Sequence, residues 1–132
     1  MKKIFFLPFM FLMLSGIVIF SNCQPQSAGL CTISAAEFAK MDKSNVAILD
    51  VRTPGEFNSG HVDGATMIDF SDSNFKSTIG QLDRDAHYYV YCKVGGRSNR
   101  ATQYMYASGF KNVCNIQGGI IAIAKEGVTL EK

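Results

Sequence analysis

The stretch Tyr88-Tyr89-Val90-Tyr91-Cys92-Lys93-Val94-Gly95-Gly96-Arg97-Ser98 decides how this chain is read. Tyr88 to Tyr91 reads as a strand, with Cys92 at its carboxyl end. Two glycines then let the backbone curl, because a residue without Cβ accepts dihedrals that would otherwise push a side chain into the loop. A helix follows from Ser98 to Ala107 and is stopped by Gly109. The amides of such a loop turn inward as an anion-binding nest, reinforced by the positive end of the helix. Arg97 adds a fixed positive charge. A thiol in this setting is biased toward thiolate, the form that attacks electrophiles. The plain alternative is a small core cysteine followed by an ordinary turn. Glycines, arginine and helix start within one short loop favour the reactive reading.

Outward from the loop, strands and helices alternate. Leu30 to Ile33 is a short strand, and Ser34-Ala35-Ala36-Glu37 is a capping box that opens a helix running to Met41. Val46-Ala47-Ile48-Leu49 is a continuous apolar run ending at Asp50, as in a strand buried on both faces. Ala65 to Ile68 is a weaker strand. Phe75, Ile79 and Leu82 share one helical face. Val113 to Ile116 is a last strand, Gly118-Gly119 a turn, and Ile120 to Lys125 a closing helix. This order predicts an α/β domain with a mainly parallel sheet, in which chemistry gathers beyond the carboxyl ends of the strands. Asp50 and Cys92 both stand there.

At the other end, Lys2 and Lys3 precede the uncharged run Ile4 to Phe20, the pattern of an export signal. Phe20-Ser21-Asn22-Cys23 resembles a bacterial lipobox, in which the cysteine is acylated and the signal cut before it, although Phe20 and Asn22 depart from the strict pattern. The expectation is a signal peptide over residues 1–22, lipidation at Cys23, a polar tether over 23–29 and one domain over 30–132. That places the protein outside the cytoplasm, periplasmic or on the outer face of a membrane. Ordinary cleavage to a soluble protein and an uncleaved apolar anchor are the alternatives.

Formal charge adds to exclusion. The net +2 comes from the leader, since the remaining basic and acidic residues balance at eleven each. No Lys/Arg cluster suits phosphates, so nucleic acid is not an expected partner. The four cysteines, Cys23, Cys31, Cys92 and Cys114, form no CxxC pair and no zinc spacing with His61 or His87, so no metal is expected.

Cys92, Gly95, Arg97 and Ser98 match the loop C-x-x-G-x-R-[ST] of the rhodanese (sulfurtransferase) family, which this sequence resembles. A second stretch, Asp50-Val51-Arg52-Thr53-Pro54-Gly55-Glu56-Phe57 followed by Gly60-His61-Val62-Asp63-Gly64-Ala65, resembles the family's D-V-R-x-x-x-E-[FY]-x-x-G-H-[IV]-x-G-A segment. Asn115-Ile116-Gln117-Gly118-Gly119-Ile120 resembles its closing glycine motif. Ile123 stands where the family often has tryptophan.

The resemblance implies a rhodanese-like fold, a parallel five-stranded sheet flanked by helices. It implies that Cys92 takes sulfane sulfur from thiosulfate or a persulfide donor and passes it to cyanide or a thiol, with no cofactor. The amides of Lys93, Val94, Gly95, Gly96, Arg97 and Ser98 would cradle the sulfur, Arg97 would bind the anionic donor, and Asp50 and Arg52 would brace the loop. For Arg52 and Glu56, a structural ion pair is an equal alternative. His61 is expected to pack and hydrogen-bond rather than catalyse.

Two other functions compete. A cysteine phosphatase or arsenate reductase places five residues between cysteine and arginine. Cys92 and Arg97 enclose four, which suits a single sulfur better than a tetrahedral phosphate. A sulfur-carrier, redox or protein-binding module without turnover is the other rival. In the family's strand order the first and last strands are neighbours, which brings Cys31 and Cys114 together. Two buried thiols are the favoured expectation and a disulfide the alternative, because a bond straight across parallel strands is unfavourable. Nothing in the residues indicates an oligomeric state.

Overall fold

The computed structural model describes residues 29–132. The expected signal peptide, Cys23 and the tether up to residue 28 lie outside the described residues. Five parallel strands form one sheet in the order β1-β6-β5-β2-β4, with β1 at Gly29–Ser34, β2 at Ala47–Asp50, β4 at Thr66–Met67, β5 at His87–Tyr91 and β6 at Asn112–Gln117. β1 thus starts one residue inside the predicted tether.

Helices cover both faces, which is why the central strands carry apolar residues at successive positions rather than in alternation. On one face, Phe75 and Ile79 of α3 (Phe75–Gly80) and Ala101 and Met105 of α4 (Gly96–Ala107) pack on Leu49, Val90, Cys92 and Val113. On the other, Phe38 of α1 (Ala35–Lys40) and Ile120 and Ile123 of α5 (Gly119–Lys125) pack on Ile48, Tyr91, Cys114 and Ile116. Ile123 is fully buried there, so the smaller side chain is accommodated by local packing. The capping box at Ser34 and Glu37 forms as read from the sequence.

Three elements were not expected. α2 (Pro54–Ser59) is opened by a second capping box, Thr53 with Glu56, with Pro54 in the first turn. β3 (His61–Val62) pairs antiparallel with β7 (Leu130–Glu131) near the end of the chain.

The favoured expectation for Cys31 and Cys114 is corrected: the two are joined as a disulfide. They are direct register partners between β1 and β6, with Cα atoms 4.4 Å apart. β1 is an edge strand with a single neighbour, and its Cα approaches within the range a disulfide spans. Cys92 is the free cysteine among the described residues.

Candidate active site

β5 delivers Cys92 to the carboxyl edge of the sheet, between β6 and β2. Gly95 then adopts a left-handed conformation, φ 110°, which turns the chain and makes it the N-cap of α4. The helix therefore begins at Gly96, two residues before the expected start, and the loop from 92 to 95 is tight. Its inner side holds the sulfur. The Gly95 amide donates to Cys92 Sγ at 3.1 Å, and Ser98 Oγ lies 3.4 Å from Sγ and 3.1 Å from the Gly95 carbonyl.

Cys92 is only 1% exposed, and that burial is the largest single influence on its thiol, pushing the pKa up. The Ser98 hydroxyl and the amides of Ser98, Gly95 and Val94 act in the opposite sense, and together they prevail. The net shift is downward, toward thiolate. Lys93, Val94 and Gly96 form the exposed rim of the loop, with Val94 65% exposed.

A turn missed as part of the site closes the loop from behind. Gly118 and Gly119 lead from β6 into α5, and the Ile120 amide donates to the Cys92 carbonyl at 2.8 Å. A Cβ on Gly119 would stand 2.5 Å from the carbonyl oxygens of Cys92 and Lys93. The glycine pair was legible in the sequence as a turn. Its contact with a loop some 25 residues earlier was not.

Arg97 stands beside the Cys92 sulfur, whose charge it feels, and is also paired with an acid. Nη1 and Nη2 each donate to a Glu56 carboxylate oxygen at 2.8 Å, with the two side chains 26% and 29% exposed. Arg97 first, and the Thr53 cap after it, hold the Glu56 carboxyl down to about 2 against the opposing effect of burial. Arg52 pairs instead with Asp50. Its Nε and Nη2 donate to both carboxylate oxygens, at 2.6–3.0 Å, and Nη2 also donates to the Gly60 carbonyl at 2.7 Å. Both residues are buried. Their side chains thus hold each other and the segment before β3 rather than the loop after Cys92. Support for Cys92 from this strand comes through the backbone, where the Val51 amide donates to the Tyr91 carbonyl at 3.0 Å. Tyr91 Oη accepts from the Val62 amide at 3.0 Å, and burial raises its phenol well above the usual range. His61 stacks on Phe57 with ring centroids 3.7 Å apart and contacts the Phe57 carbonyl through Nδ1 at 3.1 Å.

Fold and loop together define a class, and comparison with known proteins agrees. The profile of the Rhodanese-like domain family matches residues 34–126, and the chain belongs to that family. Thiosulfate sulfurtransferase GlpE of Shewanella oneidensis is 35% identical over 91 residues, which cover 68% of this chain and 88% of that protein. The probable adenylyltransferase/sulfurtransferase MoeZ of Mycobacterium tuberculosis is 38% identical over 81 residues, 61% of this chain but only 21% of that longer protein. Among solved structures, a rhodanese-related protein from Thermoplasma volcanium superposes with a TM-score of 0.69 at 29% identity, covering 76% of this chain and 97% of the other.

Proposed function

We propose that the protein is a sulfurtransferase that carries sulfane sulfur as a persulfide on Cys92. The observation that carries this reading is the sulfur of Cys92 lying against the Gly95 amide and Ser98 hydroxyl inside the short loop that leads into α4. In the first step the Cys92 thiolate attacks the outer sulfur of thiosulfate or a persulfide. A bond to Cys92 Sγ forms, the donor's S–S bond breaks, and sulfite or a thiolate leaves with the electron pair. In the second step cyanide or a thiol attacks the outer sulfur, and Cys92 departs as thiolate. Amides that favour the thiolate also favour the negative outer sulfur of the persulfide, so one cradle serves both states. Relatives named as sulfurtransferases support this chemistry.

Export, with anchoring at Cys23 or through the apolar leader, belongs to the same proposal. The Cys31–Cys114 disulfide supports it, because disulfides persist in oxidising compartments. β1 enters at the end of the sheet opposite Cys92.

Intact mass spectrometry after exposure to thiosulfate tests the function. The expected result is addition of one sulfur, discharged by cyanide as thiocyanate, and absent from Cys92→Ser. Folded protein that gains no sulfur from thiosulfate or glutathione persulfide would sink the proposal and leave a binding module.

A further inference from the structure

The cation nearest an incoming anion is already occupied. Arg97 is locked bidentately on Glu56, and Glu56 is itself fixed by its capping box with Thr53. Arg97 also lies beside the Cys92 sulfur, but a guanidinium shared with a carboxylate attracts a second anion less strongly than a free one. The other charged residue between Cys92 and Ser98 is Lys93, on the exposed rim where water and salt screen it.

One turn farther along α4, three residues beyond Arg97 and so on the same side of the helix, is Arg100. Its guanidinium lies 5.0 Å from the centroid of the Phe70 ring, at the edge of a cavity of about 230 Å³ floored by Phe70, Phe75 and Tyr104. Lys76, 5.6 Å from the Tyr104 ring, borders the same cavity. Neither cation makes an ion pair among the described residues. The Asp72 carboxylate also lines the cavity and accepts from the Asn74 amide at 2.7 Å. Phe70, Phe75 and Tyr104 pack in the same core cluster as Cys92, so cavity and sulfur share one side of the sheet.

We propose that Glu56 determines donor specificity by neutralising Arg97 against small dianions, and that the anion recognised is instead a carboxylate on an organic persulfide, received by Arg100 beside the aromatic cavity. This rests on the sulfur-transfer reading of Cys92. The thiolate of Cys92 attacks the outer sulfur of R–S–S⁻, the new bond to Sγ forms as the donor's S–S bond breaks, and R–S⁻ leaves with the electron pair and takes a proton from water. The carboxylate of R pairs with Arg100 while its aliphatic part covers the aromatic floor. Thiosulfate is a compact dianion with no apolar part, and it meets an arginine whose charge is shared with Glu56.

The test measures loading of Cys92 by peptide-mapped mass spectrometry, on the full chain, with three donors. These are thiosulfate, glutathione persulfide and 2-hydroxyethyl persulfide, which lacks a carboxylate. Wild type should load faster from glutathione persulfide than from 2-hydroxyethyl persulfide. Arg100→Ala should erase that preference, a change of about three- to fivefold, while thiosulfate loading moves less than twofold. Glu56→Gln keeps an oxygen for the Thr53 cap and should speed thiosulfate loading about fivefold relative to 2-hydroxyethyl persulfide. The gain should fall in KM rather than kcat and vanish when Arg97→Ala is added. Unchanged donor ratios in a Glu56→Gln protein whose thermal melting shows it folded would overturn the proposal, as would Arg100→Ala slowing all three donors alike. Wild type that takes sulfur from none of them would instead end the sulfur-transfer reading itself.

Discussion

Ser98 places one hydroxyl between two acceptors, the Cys92 sulfur and the Gly95 carbonyl, and its donation to sulfur favours the thiolate. Ser98→Ala should therefore raise the midpoint pH of Cys92 alkylation by iodoacetamide, with stability changed by about 1 kcal/mol or less. An unchanged midpoint would mean that the amides alone set the thiol. Glu56 makes a second pH-dependent contribution. Its carboxyl is lowered from the ordinary 4.5 to about 2, so its stabilising effect is present above 4.5 and is lost as pH falls toward 2. Glu56→Gln should cost about 1 kcal/mol in urea unfolding at pH 7, since the pair is partly solvated. The difference from wild type should close between pH 4.5 and 2. The S/T-x-x-E signal of Thr53-Pro54-Gly55-Glu56 stands in the sequence, but α2 has no buried residue and hence no apolar periodicity to mark it as a helix. Which acid pairs with which arginine was not available at all, since Glu56 and Arg97 are 41 residues apart.

At the scale of elements, the active loop is held between two turns that need glycine. Gly95 starts α4 in the left-handed region, and Gly119, at φ 59°, lets the start of α5 touch the backbone of Cys92 and Lys93. Gly119→Ala has to move either α5 or the loop, because carbonyl oxygens 2.5 Å from the new Cβ have no flexible end to give way. The expected cost is about 2 kcal/mol or more, a fall in Tm of roughly 10 °C. Sulfur loading should also slow in protein that remains folded. Loading at the wild-type rate would show that the loop does not depend on α5 for its shape. Gly95 could be assigned its role from the sequence because helix and cysteine flank it closely. Gly119 could not, as its partner is brought to it only by the parallel pairing of β5 with β6.

Across the whole molecule, the sheet separates two kinds of cysteine. Cys114 packs with Phe38, Tyr91 and Ile116 under α1 and α5, whereas Cys92 packs with Val90, Ala101 and Met105 under α4. The disulfide closes a loop of 83 residues, so its reduction should lower stability by about 4 kcal/mol. The rate of sulfur loading, measured where circular dichroism shows the protein folded, should stay within twofold, because the bond lies on the far face from Cys92. Thiol counting on denatured protein should find Cys31 and Cys114 reactive only after reduction. Both reacting beforehand would remove the bridge, and loss of loading on reduction would couple it to the site.

Local chemistry was enough to determine the alternation of strands and helices, the turn after Cys92, the capping box at Ser34 and the thiolate bias of the loop. Each depends on residues within a few positions of one another, through propensity, missing Cβ atoms or short-range hydrogen bonds. Tertiary structure alone decided the rest. It assigned Arg97 to Glu56, placed Gly119 against Cys92, and joined Cys31 to Cys114 across an edge strand. Charge pairing and close approach depend on which segments the sheet makes neighbours, and a linear chain with several acids, arginines and cysteines permits more partners than the fold allows.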